Sequence, residues 1–290
     1  MKNYQIFTDA TADISSYMLE NLPLLQIIPM NLEIGGNEFT YGPNGNISCE
    51  EFYNLQRNGN FATTSQINSL TYLEHFEPFL KQETDILYIC FSSGMSGTYQ
   101  AAHIAIEELK TLYPNRKIIC VDSLCASIGE GFLVHEALKK QAEGLTLEEL
   151  EKWLLENRLK VCHWFTVDVF EHLKHGGRVS AVSAAIGTTL QIKPLLLVNN
   201  DGKLQVSAKP RGRKKAIAMQ IEKLENSWLP ELGNSVFIGH GDNLEAAEQL
   251  KDMISEKFPN ADIKISEIGP IIGSHTGPGM LAVIFWGNQR

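Results

Sequence analysis

Apolar residues along this chain fall into two patterns that take turns. Short runs at 4–7, 25–32, 86–91, 117–121, 161–167, 236–238, 262–268 and 282–286 read as strands, several apolar enough to be covered on both faces. Apolar positions spaced by three and four mark helices at 14–21, 48–55, 68–81, from about Gln100 onward, at 128–143, 147–157, 210–228 and 244–258. Short helices are also expected at 168–174 and 180–187. The starts carry their own chemistry, with Asp13, Ser48 and Thr146 placed as N-caps and Glu51 at the capping-box position. Strands alternating with helices over the first half predict a doubly wound, mainly parallel sheet. The second half breaks that rhythm, since Leu195–Ser207 reads as a hairpin turning at Asn200-Asp201-Gly202. A second hairpin is expected around Gly35-Gly36, and the stretch 269–279 reads as a glycine-rich loop.

The run at 86–91 feeds directly into Ser92-Ser93-Gly94-Met95-Ser96-Gly97 and then a helix. A helix opening just past a strand's carboxyl end turns free N–H groups and its positive dipole end toward the crevice. Small hydroxyl residues and glycines at such a turn let an anion approach closely. Sharper assignments fail on spacing. No Lys-Ser or Lys-Thr pair closes the loop as a P-loop requires. Gly94-Met95-Ser96-Gly97 brings its second glycine one place early for a nucleophile elbow, and the dinucleotide fingerprint lacks its third glycine. Gly129-Glu130-Gly131 fails likewise, with Val134 where a glycine belongs. The loop is built to hold an oxyanion, phosphate or carboxylate.

Composition narrows the field. The chain has 290 residues, 43% hydrophobic and 20% charged, which is ample for two domains with ordinary cores. A formal net charge of −9 argues against nucleic acid or an anionic membrane as the main partner. No apolar run approaches the roughly 18 residues of a spanning helix, so no integral membrane segment is expected. Five cysteines, Cys49, Cys90, Cys120, Cys125 and Cys162, show no Cys-x-x-Cys spacing. An odd count without that spacing points to neither a disulfide framework nor a zinc site, and a reduced, cytoplasmic protein is expected.

Further candidates for chemistry lie at the ends of predicted strands and in turns. Asp9 and Thr11 follow the first strand. Thr63, Thr64 and Ser65 form a hydroxyl cluster ahead of a helix, and Arg178, Arg211 and Arg213 sit near flexible turns as the makings of a positive patch. His275 lies among glycines, where backbone and ligand can come close.

Taken in order, the aspartate-threonine turn, TSQ at 64–66, SSGMSGTYQ at 92–100, VDS at 121–123, GGRVS at 176–180, KP at 193–194, RGRKKA from 211, HGD at 240–242 and IGPIIGSHTGPG at 268–279 resemble the DegV family. The resemblance spans essentially the whole chain. It implies a two-domain DegV-like α/β fold: a doubly wound, mainly parallel sheet over 1–160 and an α/β domain with a mixed sheet over 161–290. It further implies one long-chain fatty acid in an apolar tunnel between them, with no other cofactor, presented to a separate fatty acid kinase for acyl phosphate formation in phospholipid synthesis. The carboxylate would be held by Thr64, Ser65, Ser93, Ser96, Gly97 and His275. Arg178, and with it Arg211 or Arg213, would serve the head group or the kinase surface. Two positions depart from the family pattern: Ile67 replaces the usual proline after TSQ, and Ala10 replaces a serine in the first turn.

Two other functional classes stay open on the sequence. One is a hydrolase or transferase acting on acyl or phosphorylated small molecules, with Ser93 or Ser96 as nucleophile and His275 as base, although no third triad member is evident. The other is a regulatory protein that senses acyl supply through the same pocket.

Overall fold

The computed structural model describes residues 4–178, 191–288 and 290; the helix expected at 180–187 lies outside them. The first strands are β1 (Tyr4–Asp9), β2 (Leu25–Ile28), β3 (Met30–Ile34), β4 (Asn37–Tyr41), β5 (Ala62–Thr64), β6 (Asp85–Cys90) and β7 (Ile118–Asp122). Four of them form a wholly parallel sheet of order β2-β1-β6-β7. The chain leaves β1 on one side for β2 and returns on the other for β6. The carboxyl ends of β1 and β6 therefore border a topological switch point, where ligands gather in open α/β sheets. β3, β4 and β5 make a separate antiparallel sheet, so the single run at 25–32 divides at Pro29, which has no N–H to continue a ladder.

Helices α1 (Cys49–Arg57), α2 (Ser69–Lys81), α3 (Thr98–Leu112), α4 (Ile128–Ala142) and α5 (Leu147–Asn157) follow in the first half. Ser48 accepts the Glu51 N–H at the start of α1, and Thr146 and Glu149 close a full capping box on α5. The second half contributes β8 (Val161–Thr166), β9 (Leu195–Val198), β10 (Leu204–Ala208), β11 (Ser235–His240), β12 (Asp262–Glu267) and β13 (Leu281–Trp286). They form a mixed sheet of order β10-β9-β8-β13-β11-β12 in which only the β11–β12 pair is parallel. Its helices are α6 (Glu171–His175), α7 (Arg213–Ser227), α8 (Leu244–Lys257) and α9 (Pro270–Thr276). One face of the sheet packs Trp164 and Val283 against Ile221 of α7 and Leu250 of α8.

The opposite face meets α4, which lies between the parallel and the mixed sheets. Ile128 through Leu138 are all buried, since the helix is covered on two sides. Phe132 sets its ring 5.0 Å from both Phe237 and Trp286. The discounted Gly129-Glu130-Gly131 has a packing explanation instead. A Cβ on Gly129 would stand 2.0 Å from His163 Nε2, and one on Gly131 would stand 2.3 Å from the Ala12 carbonyl oxygen.

Two local expectations gave way to tertiary contacts. Residues 14–21 form no α-helix; 3₁₀ turns occupy Ala10–Ala12 and Ser16–Leu19. Asp13 sits at φ +48° and its carboxyl accepts the Ser127 hydroxyl at 2.6 Å and the Gly269 N–H at 2.9 Å, so it ties α4 to α9 and caps nothing of its own. The glycine-rich stretch from 269 contains α9, opened by Pro270 in its first turn. Gly273 keeps it helical in a crowded place, where a Cβ would lie 2.7 Å from Tyr53 Oη and 2.8 Å from Phe52.

Candidate functional site

A cavity of about 780 Å³, part of it open to solvent, lies where the two larger sheets and α9 meet. Met30, Phe91, Phe165, Val198, Ile271 and Ile284 are among its apolar walls, drawn from the mixed sheet, the small antiparallel sheet, α9 and the turn just past β6. The polar groups fall in two places. Thr64, Ser96, Arg178, His275 and Thr276 form one set; Thr11, Ser127 and His163 form the other. Gly269, the N-cap of α9, bonds Asp13, which in turn holds Ser127, whereas His275 stands in the last turn of the helix. The two sets are thus about a helix length apart, on the order of 9 Å at 1.5 Å per residue.

His275 organises the first set. Its Nε2 lies 2.9 Å from Thr64 Oγ1, joining α9 to β5. Its Nδ1 is buried with no hydrogen-bond partner among the described residues and faces the backbone of Gly176. Burial, then the neighbouring charges of Arg178 and His175, pushes its pKa down to about 4, so the ring is neutral at neutral pH. A neutral imidazole, a threonine hydroxyl and an adjacent guanidinium can hold a carboxylate by hydrogen bonds and one charge.

The serine loop closes this end. Ser96 lines the cavity and bonds Thr98 at 2.9 Å. Ser93 is exposed, and its hydroxyl and N–H both go to the Asp122 carboxylate, at 2.5 and 3.1 Å. Ser92 Oγ donates to the Gly202 carbonyl at 2.7 Å, and a Cβ on Gly94 would stand 2.4 Å from the Asp201 carbonyl, so the loop is seated on the turn between β9 and β10. Outside it runs an open groove of about 2050 Å³ along β10, lined by Ser93, Gly97, Arg178, Lys203 and Lys209 among others. Met95, Ser96, Arg178 and Leu204 line both spaces, so the groove leads into the cavity.

The expected site residues divide accordingly. Thr64, Ser96, Arg178 and His275 come together at the cavity; Ser93 and Gly97 face the groove; Ser65 is exposed and lines neither space. Arg211 and Arg213 also lie away from both. Arg211 reaches Gln191, and Arg213 is paired to Asp168 at 2.7 Å beside Lys193. Lys203 and Lys209 carry the groove's charge with Arg178, and the pattern of a hairpin flanked by lysines was the available signal. His163, hidden inside an apolar strand, gave none; its Nδ1 lies 3.0 Å from the Val161 carbonyl, and burial holds its pKa well below the usual range.

Among the described residues neither Ser93 nor Ser96 is hydrogen-bonded to a histidine, and no three His, Cys, Asp or Glu side chains gather as a metal site. No described helix is long and apolar enough to cross a membrane.

Comparison with known proteins follows the same lines. The model of the DegV family of uncharacterised proteins matches residues 3–288. A DegV domain-containing protein of Clostridium perfringens is 43% identical over 290 residues, covering 100% of this chain and 99% of that one. Among solved structures, DegV of Bacillus subtilis, described as a fatty acid binding protein, has 28% identity and a TM-score of 0.84 over 98% of this chain and 99% of its own. The Streptococcus pneumoniae Fatty Acid Kinase B3 protein, loaded with linoleic acid, superposes with a TM-score of 0.87 over 99% and 100% of the two chains. At 20% identity it shows the shared fold.

Proposed function

The chain belongs to the DegV family, and on that premise we propose that it binds a single long-chain fatty acid in the cavity and presents its carboxylate to a separate kinase. The observation that carries the reading is an apolar cavity with a polar end beside the groove, where Thr64, Ser96, His275 and Arg178 converge and the basic groove leads outward. Burying the acyl chain contributes about 0.8 kcal/mol per methylene, so the walls supply most of the affinity and the polar end fixes direction. The B. subtilis relative is named for the same class of ligand.

With the carboxylate at that end, its oxygens face the groove, where Arg178, Lys203 and Lys209 offer countercharge to an incoming phosphoryl group. Among the described residues neither Ser93 nor Ser96 is paired with a histidine, and this reading gives phosphoryl transfer to the partner. Residues 1–160 and 161–290 act as the two domains of this reading, with the acyl tunnel between them.

Mass spectrometry of organic extracts from the purified protein tests the proposal. One fatty acid near equimolar amount is the expected result. A protein that is empty and also fails to take up added palmitate overturns it. Turnover of an acyl ester, lost in Ser96→Ala, would favour the hydrolase reading instead.

A further inference from the structure

Beneath the cavity two carboxyl groups are buried side by side, and the ligand site makes no direct use of them. Asp9 ends β1 and Glu130 lies in the first turn of α4; both are 0% exposed. Thr11 Oγ1 stands 2.5 Å from Asp9 Oδ1 and 2.8 Å from Glu130 Oε2. Thr8 Oγ1 stands 3.0 Å from the Ile89 carbonyl oxygen and 3.1 Å from Glu130 Oε1. These are four contacts to oxygens, and the two hydroxyls bring only two hydrogens. If both carboxyls were ionised, the Thr11 oxygen would face two anionic oxygens with a single proton to share.

The partners say where the extra proton resides. Asp9 is also served by the Thr11 N–H at 2.9 Å and by the Tyr88 hydroxyl at 2.6 Å, and the 2.5 Å contact from Thr11 has the length of a hydroxyl bond to an ionised carboxylate. Among the described residues, the hydrogen-bond partners of the Glu130 carboxyl are the two threonines. It takes part in no ion pair among the described residues, and its ionisable neighbours, Asp9 and Asp13, are acids. Cys125 lies close before α4, and His163 of β8 packs on the adjacent Gly129.

We propose that Glu130 is a positioning residue held as a neutral carboxylic acid, donating from Oε2 to Thr11 while Thr11 donates to ionised Asp9, and so fixing Thr11 in the cavity wall. The Thr8 hydrogen is then shared between the Ile89 carbonyl and Glu130 Oε1, in keeping with its two longer contacts. Burial, the first cause, and the nearby Asp9 both push the Glu130 pKa well above the usual range, in the same sense as the hydrogen count. The chain of bonds continues from Asp9 through Tyr88 to Tyr72 at 3.0 Å, whose hydroxyl reaches the Thr98 carbonyl beside Ser96. One network thereby holds polar residues of both ends of the cavity. On the fatty acid reading, the proton also keeps a second negative charge from lying beneath an anionic ligand; the assignment itself does not depend on that reading.

Glu130→Gln is the discriminating variant, because its amide can donate to Thr11 and accept from Thr8 as the neutral acid does. Asp13, whose carboxyl burial also keeps protonated near neutral pH, is first replaced by asparagine. In that Asp13→Asn background the infrared carbonyl band of a protonated side-chain carboxyl, followed near neutral pH, is expected to remain when Asp9→Asn is added and to disappear when Glu130→Gln is added. Unfolding of the Gln variant is expected to release about one proton fewer, seen as roughly a tenfold smaller rise in the unfolding constant per pH unit between about pH 5 and pH 7. Glu130→Ala is expected to lose stability that Glu130→Gln keeps. The proposal is overturned if, in that background, the band persists in Glu130→Gln or disappears in Asp9→Asn, or if the proton count of unfolding is unchanged. Should Glu130→Gln fail to fold, the band in Asp9→Asn still decides.

Discussion

Gly176→Ala separates the binding role of His275 from the stability of the fold. Gly176 has φ −68° and ψ −14°, right-handed helical geometry that alanine adopts without strain. Its missing side chain is nevertheless needed: a Cβ there would lie 2.1 Å from His275 Nδ1, 3.1 Å from Cε1 and 3.2 Å from Cγ. The imidazole must retreat by roughly 1.4 Å to reach van der Waals distance. The 2.9 Å contact with Thr64 then opens beyond hydrogen-bonding range, and the ring leaves the position from which it would meet a carboxylate. Losing one hydrogen bond to a charged ligand costs about 1.5–3 kcal/mol. That corresponds to a roughly 10- to 150-fold higher Kd. Stability moves little, since alanine at a compatible helical position contributes about 0.4–1 kcal/mol against the cost of shifting the ring. Calorimetric titration of delipidated protein with palmitate, beside a thermal scan, reads both quantities. A Kd within a factor of two of wild type in a folded Gly176→Ala would refute the head-group role of His275. Combining it with His275→Ala should add nothing, because both changes remove the same contact.

Further outcomes follow from the same geometry. Ser96→Ala should raise the palmitate Kd by roughly 3- to 10-fold, the worth of one hydrogen bond, while Ser93→Ala, whose hydroxyl is given to Asp122, should leave it within a factor of two. Ala282→Phe, buried near the start of β13 and in the cavity wall, should exclude long chains from binding assays and lower stability by about 1–3 kcal/mol through overpacking. For pH, His275 has a folded pKa near 4 against an ordinary 6.5, so the unfolded chain binds the proton first. Its contribution to stability is therefore complete above about pH 6.5 and is lost as pH falls toward 4, at up to about 1.4 kcal/mol per pH unit, and His275→Asn should flatten that part of a denaturant-derived profile. Asp13 acts in the opposite sense. Its carboxyl is raised to about 8 by burial, so it favours the folded state most at low pH and progressively less as pH rises toward 8.

The parallel sheet, the β9–β10 hairpin, most helix boundaries and the serine loop were legible in the amino-acid sequence, because each is a local matter of period, cap or turn chemistry. The unbroken apolar run of β6 and the Thr146–Glu149 box needed no distant partner to be read. The family motifs pointed to a wider set, Thr64, Ser65, Ser93, Ser96, Gly97 and His275 with Arg178, Arg211 and Arg213. Which serine faces inward depends on long-range packing, since Ser93 and Ser96 differ in surroundings supplied by Asp122 and by the mixed sheet. Tertiary packing likewise drew Arg213 to Asp168, turned the 269–279 stretch into a helix wedged against Tyr53, and denied Asp13 a cap by giving its carboxyl to Ser127 and Gly269. Glu130 is the sharpest case. A glutamate between two glycines carries no local sign of burial, and its partners, Thr8 and Thr11, stand 122 and 119 residues away along the chain. Long-range packing sets the dielectric and the hydrogen-bond partners of such groups, and neither is encoded in any window of neighbouring residues.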